Sequence, residues 1–223
     1  MAKKRTYTAK SPVRRAKAAV VGVVLHMLGV GAFAIMVALN LSHLVKAEGG
    51  TPLTQAFSLP GFEAYTDAYG LAALAQLASL FVYGVLFLMW IHRTNRNAQT
   101  LSSGMEVSPG WAVGWFFVPF ASLYKPFQGL DQTWRVSTEP ARWKALDTPV
   151  ILRVWWGLYL GGNIGNSLSS LVSREHTVQG HVAAAILALL SAALILANSV
   201  AAIRIVRTLT ARQVSALEVD AFA

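Results

Sequence analysis

Four long apolar runs, with basic residues gathered on one side of them, constrain this chain more than any motif it carries. The runs are Ala18–Val45, Ala68–Ile91, Val150–Val172 and Val182–Ile203. Each is long enough to cross a hydrocarbon core of about 30 Å at about 1.5 Å per helical residue. With the N-terminus on the cytoplasmic side, successive crossings leave only Lys46 and Arg174 of the 19 Lys and Arg residues outside. Cytoplasmic loops hold basic residues in this way. The pattern predicts an all-α integral membrane protein with four transmembrane helices and both termini cytoplasmic.

Composition narrows the function classes. Only 13% of residues are charged, where a soluble domain carries about 25%. The net charge of +9 does not point to nucleic acid, because seven basic residues crowd the first 17 positions, directly before an apolar run. That placement suits retention in the cytoplasm and attraction to anionic lipid. The chain has no cysteine, which excludes disulfides, thiolate zinc sites and cysteine nucleophiles. The first run follows a basic head and ends near Val45-Lys46-Ala47, like a signal peptide, and Arg14-Arg15 resembles a twin-arginine signal. Its length, nearly twice the 7–15 residues of a signal core, makes it an uncleaved anchor.

Residues 1–17 are expected to be a disordered basic tail, residues 18–212 a helical membrane domain, and residues 213–223 a second cytoplasmic tail that extends the last helix. The segment Lys46–Asp67, with Gly49-Gly50, Pro52 and Pro60-Gly61 as breakers, is net acidic and external. A fifth apolar segment, Trp111–Tyr124, is interrupted by Pro119 and followed by Pro126. It is too short for an ordinary crossing. Arg93 and Arg96 precede it, and Lys125, Arg135, Arg142, Lys144 and Arg153 follow. Basic flanks on both sides put both ends in the cytoplasm, so the segment is re-entrant or interfacial. After it, Phe127–Arg135 reads as a short amphipathic helix with Phe127, Leu130 and Trp134 on one face and an Asp131–Arg135 pair on another.

Small residues recur where helices are expected to touch. Gly157, Gly161, Gly165 and Ser169 step by four along the third run, Ala184, Ala188 and Ala192 along the fourth, and Ala68, Ala72, Ala75 and Ser79 along the second. Such stripes let helix backbones approach in lipid. Polar residues inside the runs are His26, Asn40, Gln76, Asn163, Asn166 and Asn198. Asn163, Asn166 and Asn198 form a candidate intramembrane polar site, read either as interhelical hydrogen bonding or as a solute path. No run contains a carboxylate of the kind proton-coupled transport uses. The five histidines show no spacing that implies a metal or haem, and no Ser/His/Asp set, Walker loop or H-E-x-x-H motif is present. No cofactor or metal is therefore expected.

The block around the broken segment reads Trp90-x-x-Arg93-x-x-x-Asn97, then Ser108-Pro109-x-Trp111-Ala112-Val113-Gly114-Trp115-Phe116-Phe117-Val118-Pro119, then Lys125-Pro126-Phe127 and Trp134-Arg135. It resembles the bacterial membrane family called domain of unknown function 4328, with a hydropathy match extending from the first run to the last. The resemblance implies a multi-helix protein of the bacterial cytoplasmic (inner) membrane and no particular reaction.

The block also has a physical reading. Arg93 and Asn97 share one helical face, Trp111 and Trp115 another, Pro109-Gly110 turns the chain back, and Gly114 admits a neighbouring backbone. Trp90, Arg93, Asn97, Pro109, Trp111, Gly114, Trp115, Pro119, Pro126, Trp134 and Arg135 are thus a candidate cytoplasmic wedge. It would either bind a ligand or seal the bundle as a lid. The sequence favours a non-enzymatic scaffold or sensor using this wedge, with membrane lipid, notably anionic lipid, a protein or a second copy as partner. The alternative is a small-solute transporter or channel through the third run.

Overall fold

The structure, a computed structural model, describes residues 7–47, 62–102, 104–175 and 177–222. Six α-helices account for most of them: α1 (Val13–Ala47), α2 (Phe62–Leu101), α3 (Pro109–Gly114), α4 (Lys125–Thr138), α5 (Val150–Val172) and α6 (Val178–Phe222). Short 3-10 turns at Trp115–Phe117, Ala121–Leu123 and Trp143–Ala145 join them, and no strand occurs among the described residues. Much of the expected external acidic segment, with Gly49-Gly50, Pro52 and Pro60-Gly61, lies outside the described residues, as does His176.

Among the described residues three helices are long and apolar enough to cross a membrane: α1 over Val13–Val45, α2 over Thr66–Leu101 and α6 over Val178–Leu217. α5 occupies the expected 23 residues and is not one of these three; Arg153, Asn163, Asn166 and three serines interrupt its apolar sequence.

Local chemistry explains the helix ends. Pro12 precedes α1, where a missing amide hydrogen costs nothing, and its carbonyl accepts from Ala16 N at 2.9 Å. Pro149 stands in the same relation to α5, accepting from Leu152 N at 3.0 Å. Thr177 caps α6, its hydroxyl accepting from Gly180 N at 3.0 Å. Two helices extend well past their apolar runs. α2 continues through Leu101 and α6 through Phe222, and in each extension a polar side chain, Asn97 in α2 and Gln213 in α6, is buried and hydrogen-bonded.

The chain divides into two compact units. The first comprises Met1–Val23, Tyr83–Trp156 and Ala201–Ala223, and the second Val24–Val82 and Gly157–Val200. The first unit has a core of Trp90, Trp155, Leu130, Leu152, Ile205 and Leu209, all at most 2% exposed. Phe87 lies between two of these indoles, its ring 5.4 Å from Trp90 and 6.0 Å from Trp155.

The second unit is held by close approach of helices in two places. Gly29 on α1 faces α2, where a Cβ would lie 3.1 Å from Gln76 Cα and collide with Ser79 Oγ. On α5, a Cβ at Gly162 would come within 2.9 Å of Ile195 Cγ1 on α6, and one at Gly165 would collide with Ser191 Oγ. Ser169 Oγ completes this contact by donating to Ala184 O at 2.8 Å. The expected glycine stripe is therefore corrected. Gly157 meets nothing within 4 Å and Gly161 makes only an ordinary 3.4 Å contact, whereas Gly162, outside the stripe, sits at the tightest point with Gly165.

Candidate functional site

The first unit contains every residue of the candidate wedge, and it is built on a buried polar clamp. Asn97, fully buried on α2, pairs its carboxamide with the backbone of Lys10: Lys10 N donates to Asn97 Oδ1 at 3.1 Å and Asn97 Nδ2 donates to Lys10 O at 2.8 Å. Asn97 Nδ2 also reaches Gln213 Oε1 of α6 at 3.2 Å. Gln213, itself fully buried, donates to Thr94 O at 2.7 Å and to Ser137 Oγ of α4 at 3.0 Å. Asn95 Nδ2 donates to Thr133 Oγ1 of α4 at 3.0 Å. One contiguous network thus joins the N-terminal segment, α2, α4 and α6.

Over the described residues 7–17 these contacts correct the expectation of a disordered N-terminal tail, while the C-terminal tail continues the last helix as expected. Lys10 is bonded into the clamp, the helix begins at Val13, and Gln213 lies in the core. Residues 1–6 lie outside the described residues. Gln213 follows Ile205 and Leu209 at steps of four on the buried face of α6, so the apolar period carried past Arg204 is the sequence signal that finds it.

Other wedge residues are also placed by specific bonds. Trp90 donates its indole N–H to Thr210 Oγ1 at 3.1 Å. Trp134 lies under the Arg212 guanidinium, 4.7 Å from the ring centre, and Arg212 also donates to Thr138 Oγ1. Arg135 forms the expected pair with Asp131 at 2.8 Å, donates to Leu146 O at 3.2 Å, and stands over the Trp143 ring at 5.4 Å. Together these bonds fasten α4 to α6 and to the segment that leads into α5.

The wedge separates into parts. Trp111 and Trp115 stack at 4.4 Å, while the Asn97 amide is committed to Lys10 and Gln213. Gly114 makes room for the ring of Trp111, whose Cε3 would lie 3.2 Å from a Cβ there, rather than for a neighbouring backbone. The chain breaks at Val118–Phe120, around Pro119, and Phe120 adopts φ 61°, a conformation costly for a residue with a Cβ. Pro109 and Pro126 are buried in the first turns of α3 and α4. Trp156 of α5 donates to Leu123 O at 3.0 Å, holding the far end of the segment. Trp111, Phe117, Phe120, Leu123 and Tyr124 are all more than half exposed, Phe120 at 88%.

Arg93 belongs to a cationic group instead. It lies within the fields of Arg15 and Arg96. Arg15 donates to Met89 O at 3.1 Å, and Arg96 sits 5.8 Å above the Tyr7 ring. Arg93 Nη1 and Arg96 Nε are buried with no acceptor among the described residues. The two ion pairs among the described residues use Arg135 and Arg142, so no carboxylate there answers Arg15, Arg93 or Arg96.

The candidate intramembrane residues lie in the second unit. Asn163 and Asn166 are exposed and Asn198 is buried. Asn163 Nδ2 bonds back to Tyr159 O of its own helix at 2.7 Å, and Ser167 Oγ to Asn163 O at 2.9 Å.

All-helical architecture with three helices of membrane-spanning length and hydropathy marks the class as a helical membrane protein. The chain belongs to the family described as Domain of unknown function (DUF4328), whose family model matches residues 61–211. That range holds the whole motif block and α3, α4 and α5, and leaves α1 outside. No curated protein and no solved structure matches the chain.

Proposed function

We propose that the chain is a non-enzymatic scaffold or sensor of the bacterial cytoplasmic membrane. In this reading it has four spans, both termini are cytoplasmic, and residues 111–124 form an aromatic hook lying in the cytoplasmic headgroup layer. The observation that carries the reading is the clamp, because it ties together points of the chain separated by candidate crossings. Lys10, before α1, meets Asn97, near the end of α2, so the chain leaves and returns. Gln213, near the end of α6, joins the same network. Asn95 and Thr133, on either side of the hook, are bonded to each other, so the hook also leaves and returns without crossing.

Parity then supports α5 as the fourth span. If α6 crosses and ends at the clamp, its first turn is across the membrane. The chain must reach that turn from α4, which is also in the clamp. α5 is the long helix in between, and 23 residues extend about 35 Å. The exposed rings of the hook suit the headgroup boundary. Buried polar groups tied to one another across three helices and the N-terminal segment suit a scaffold.

The chain has no cysteine, so a single Phe120→Cys labelled with an environment-sensitive fluorophore reports the hook's surroundings. In bilayers it is expected to emit as in lipid and to be quenched by lipid-borne quenchers, unlike the same label at Ala141→Cys. Water-like, unquenched emission at both positions would sink the hook.

A further inference from the structure

A cavity of about 750 Å³ opens in the first unit between α1 and α6, within the size range of about 300–1,000 Å³ typical of small-ligand sites. Its walls are apolar, with Val20 and Val21 from α1 and Val206 and Val214 from α6, and its charged lining residues are Lys17 and Arg207. No acid lines it. From this we infer that the groove is a binding site for one anionic phospholipid, with a chain along the valines and the headgroup phosphate against Lys17 and Arg207.

Three features on the two helices argue for this occupant. Lys17 stands at the start of the first apolar run and Arg207 one turn past the end of the last, which is the depth at which headgroup phosphates lie if these helices span the membrane. Both cations are exposed, and neither has an ion-pair partner among the described residues. An anion between them therefore adds attraction without breaking a bond, and arginine and lysine both bind phosphate well. Finally, the lining is amphipathic in the manner of a lipid, with apolar walls beside two cations and the hydroxyl-bearing Thr210 and Ser215. Basic pockets between helices on the cytoplasmic side recognise phospholipid headgroups through this chemistry. The groove is separate from the aromatic hook, so this inference survives if the hook fails.

The test uses the full chain purified in detergent containing equal fractions of phosphatidylglycerol and phosphatidylcholine, with bound lipid counted by native mass spectrometry. The parent is expected to retain phosphatidylglycerol preferentially. Lys17→Gln and Arg207→Gln should each lower that retention roughly fivefold, the scale of one surface cation acting on an anionic lipid. Arg142→Gln removes an exposed cation already paired with Glu139, and should leave retention unchanged. Ala211→Trp fills the groove and should abolish retention of the chain-bearing lipid. Circular dichroism on each variant separates lost binding from lost folding.

Equal retention in the parent and in both charge variants would overturn the proposal, as would equal losses in Arg142→Gln. Loss on charge removal but none in Ala211→Trp would show an anion bound without its chain, and the lipid assignment would fall. A lipid-free dimer that Ala211→Trp converts to monomer would assign the groove to a second copy instead.

Discussion

Asn97 shows what one buried amide does in this fold. Each of its polar atoms is committed to the Lys10 backbone or to Gln213. Asn97→Ala would free the Lys10 backbone and leave the buried Gln213 carboxamide short of a partner, a loss of about 1–3 kcal/mol. Thermal unfolding in detergent is expected to show that loss, and Gln213→Ala should show one of similar size. The double variant should fall well short of the sum, because both residues belong to one network; additive losses would mean that the two sides act independently. Phe120 gives the opposite case. Its ring is exposed and its backbone strained, so Phe120→Gly is expected to stabilise the protein in detergent by about 1 kcal/mol, while Phe120→Ala changes little. A loss in both variants would instead show that the ring holds the fold. The sequence marked Trp90, Arg93 and Asn97 as special without revealing their roles. Spacing shows that residues share a face, but not whether that face meets water, a ligand or a buried carboxamide 116 positions away.

At the scale of elements, hydropathy located the four long helices but not their ends. The last turns of α2 contain Arg93, Thr94, Asn95 and Asn97, and the last turns of α6 contain Arg204, Arg207 and Arg212. An apolar count stops at such residues, although several of them are buried. The Asp131–Arg135 pair was legible because it is local, and so was the break at Pro119. The glycine stripe of α5 was misread by its period. Steps of four advance about 40° beyond a full turn, so Gly157 and Gly165 lie about 80° apart around the helix. Gly162, Gly165 and Ser169, at steps of three and four, stay together and face α6. Gly162→Leu and Gly165→Leu are therefore expected to lower the melting temperature clearly, since overpacking costs about 1–3 kcal/mol, while Gly157→Leu should change it little. Equal effects at all three positions would mean that α5 meets α6 through a different face.

For the whole molecule, the positions bonded in the clamp limit how often the chain crosses a membrane. Charge alone gives four crossings by alternation, whereas composition alone marks three helices as apolar enough. The clamp favours the even count, because Lys10, Asn97, Thr133 and Gln213 belong to one network and cannot lie on opposite sides of a bilayer. Three positions test this with single cysteines and a membrane-impermeant maleimide on intact cells. Gly110 precedes the hook and has open space around it, Ala141 follows the hook, and Ser173 lies just past α5; all three are exposed. Four spans predict that Gly110→Cys and Ala141→Cys react only after permeabilisation and that Ser173→Cys reacts from outside. External labelling at 141 with protection at 110 would make the hook a crossing. Protection at 173 would take α5 out of the membrane, and the parity on which the four-span reading rests would then require α6 to enter and leave the bilayer on the same side.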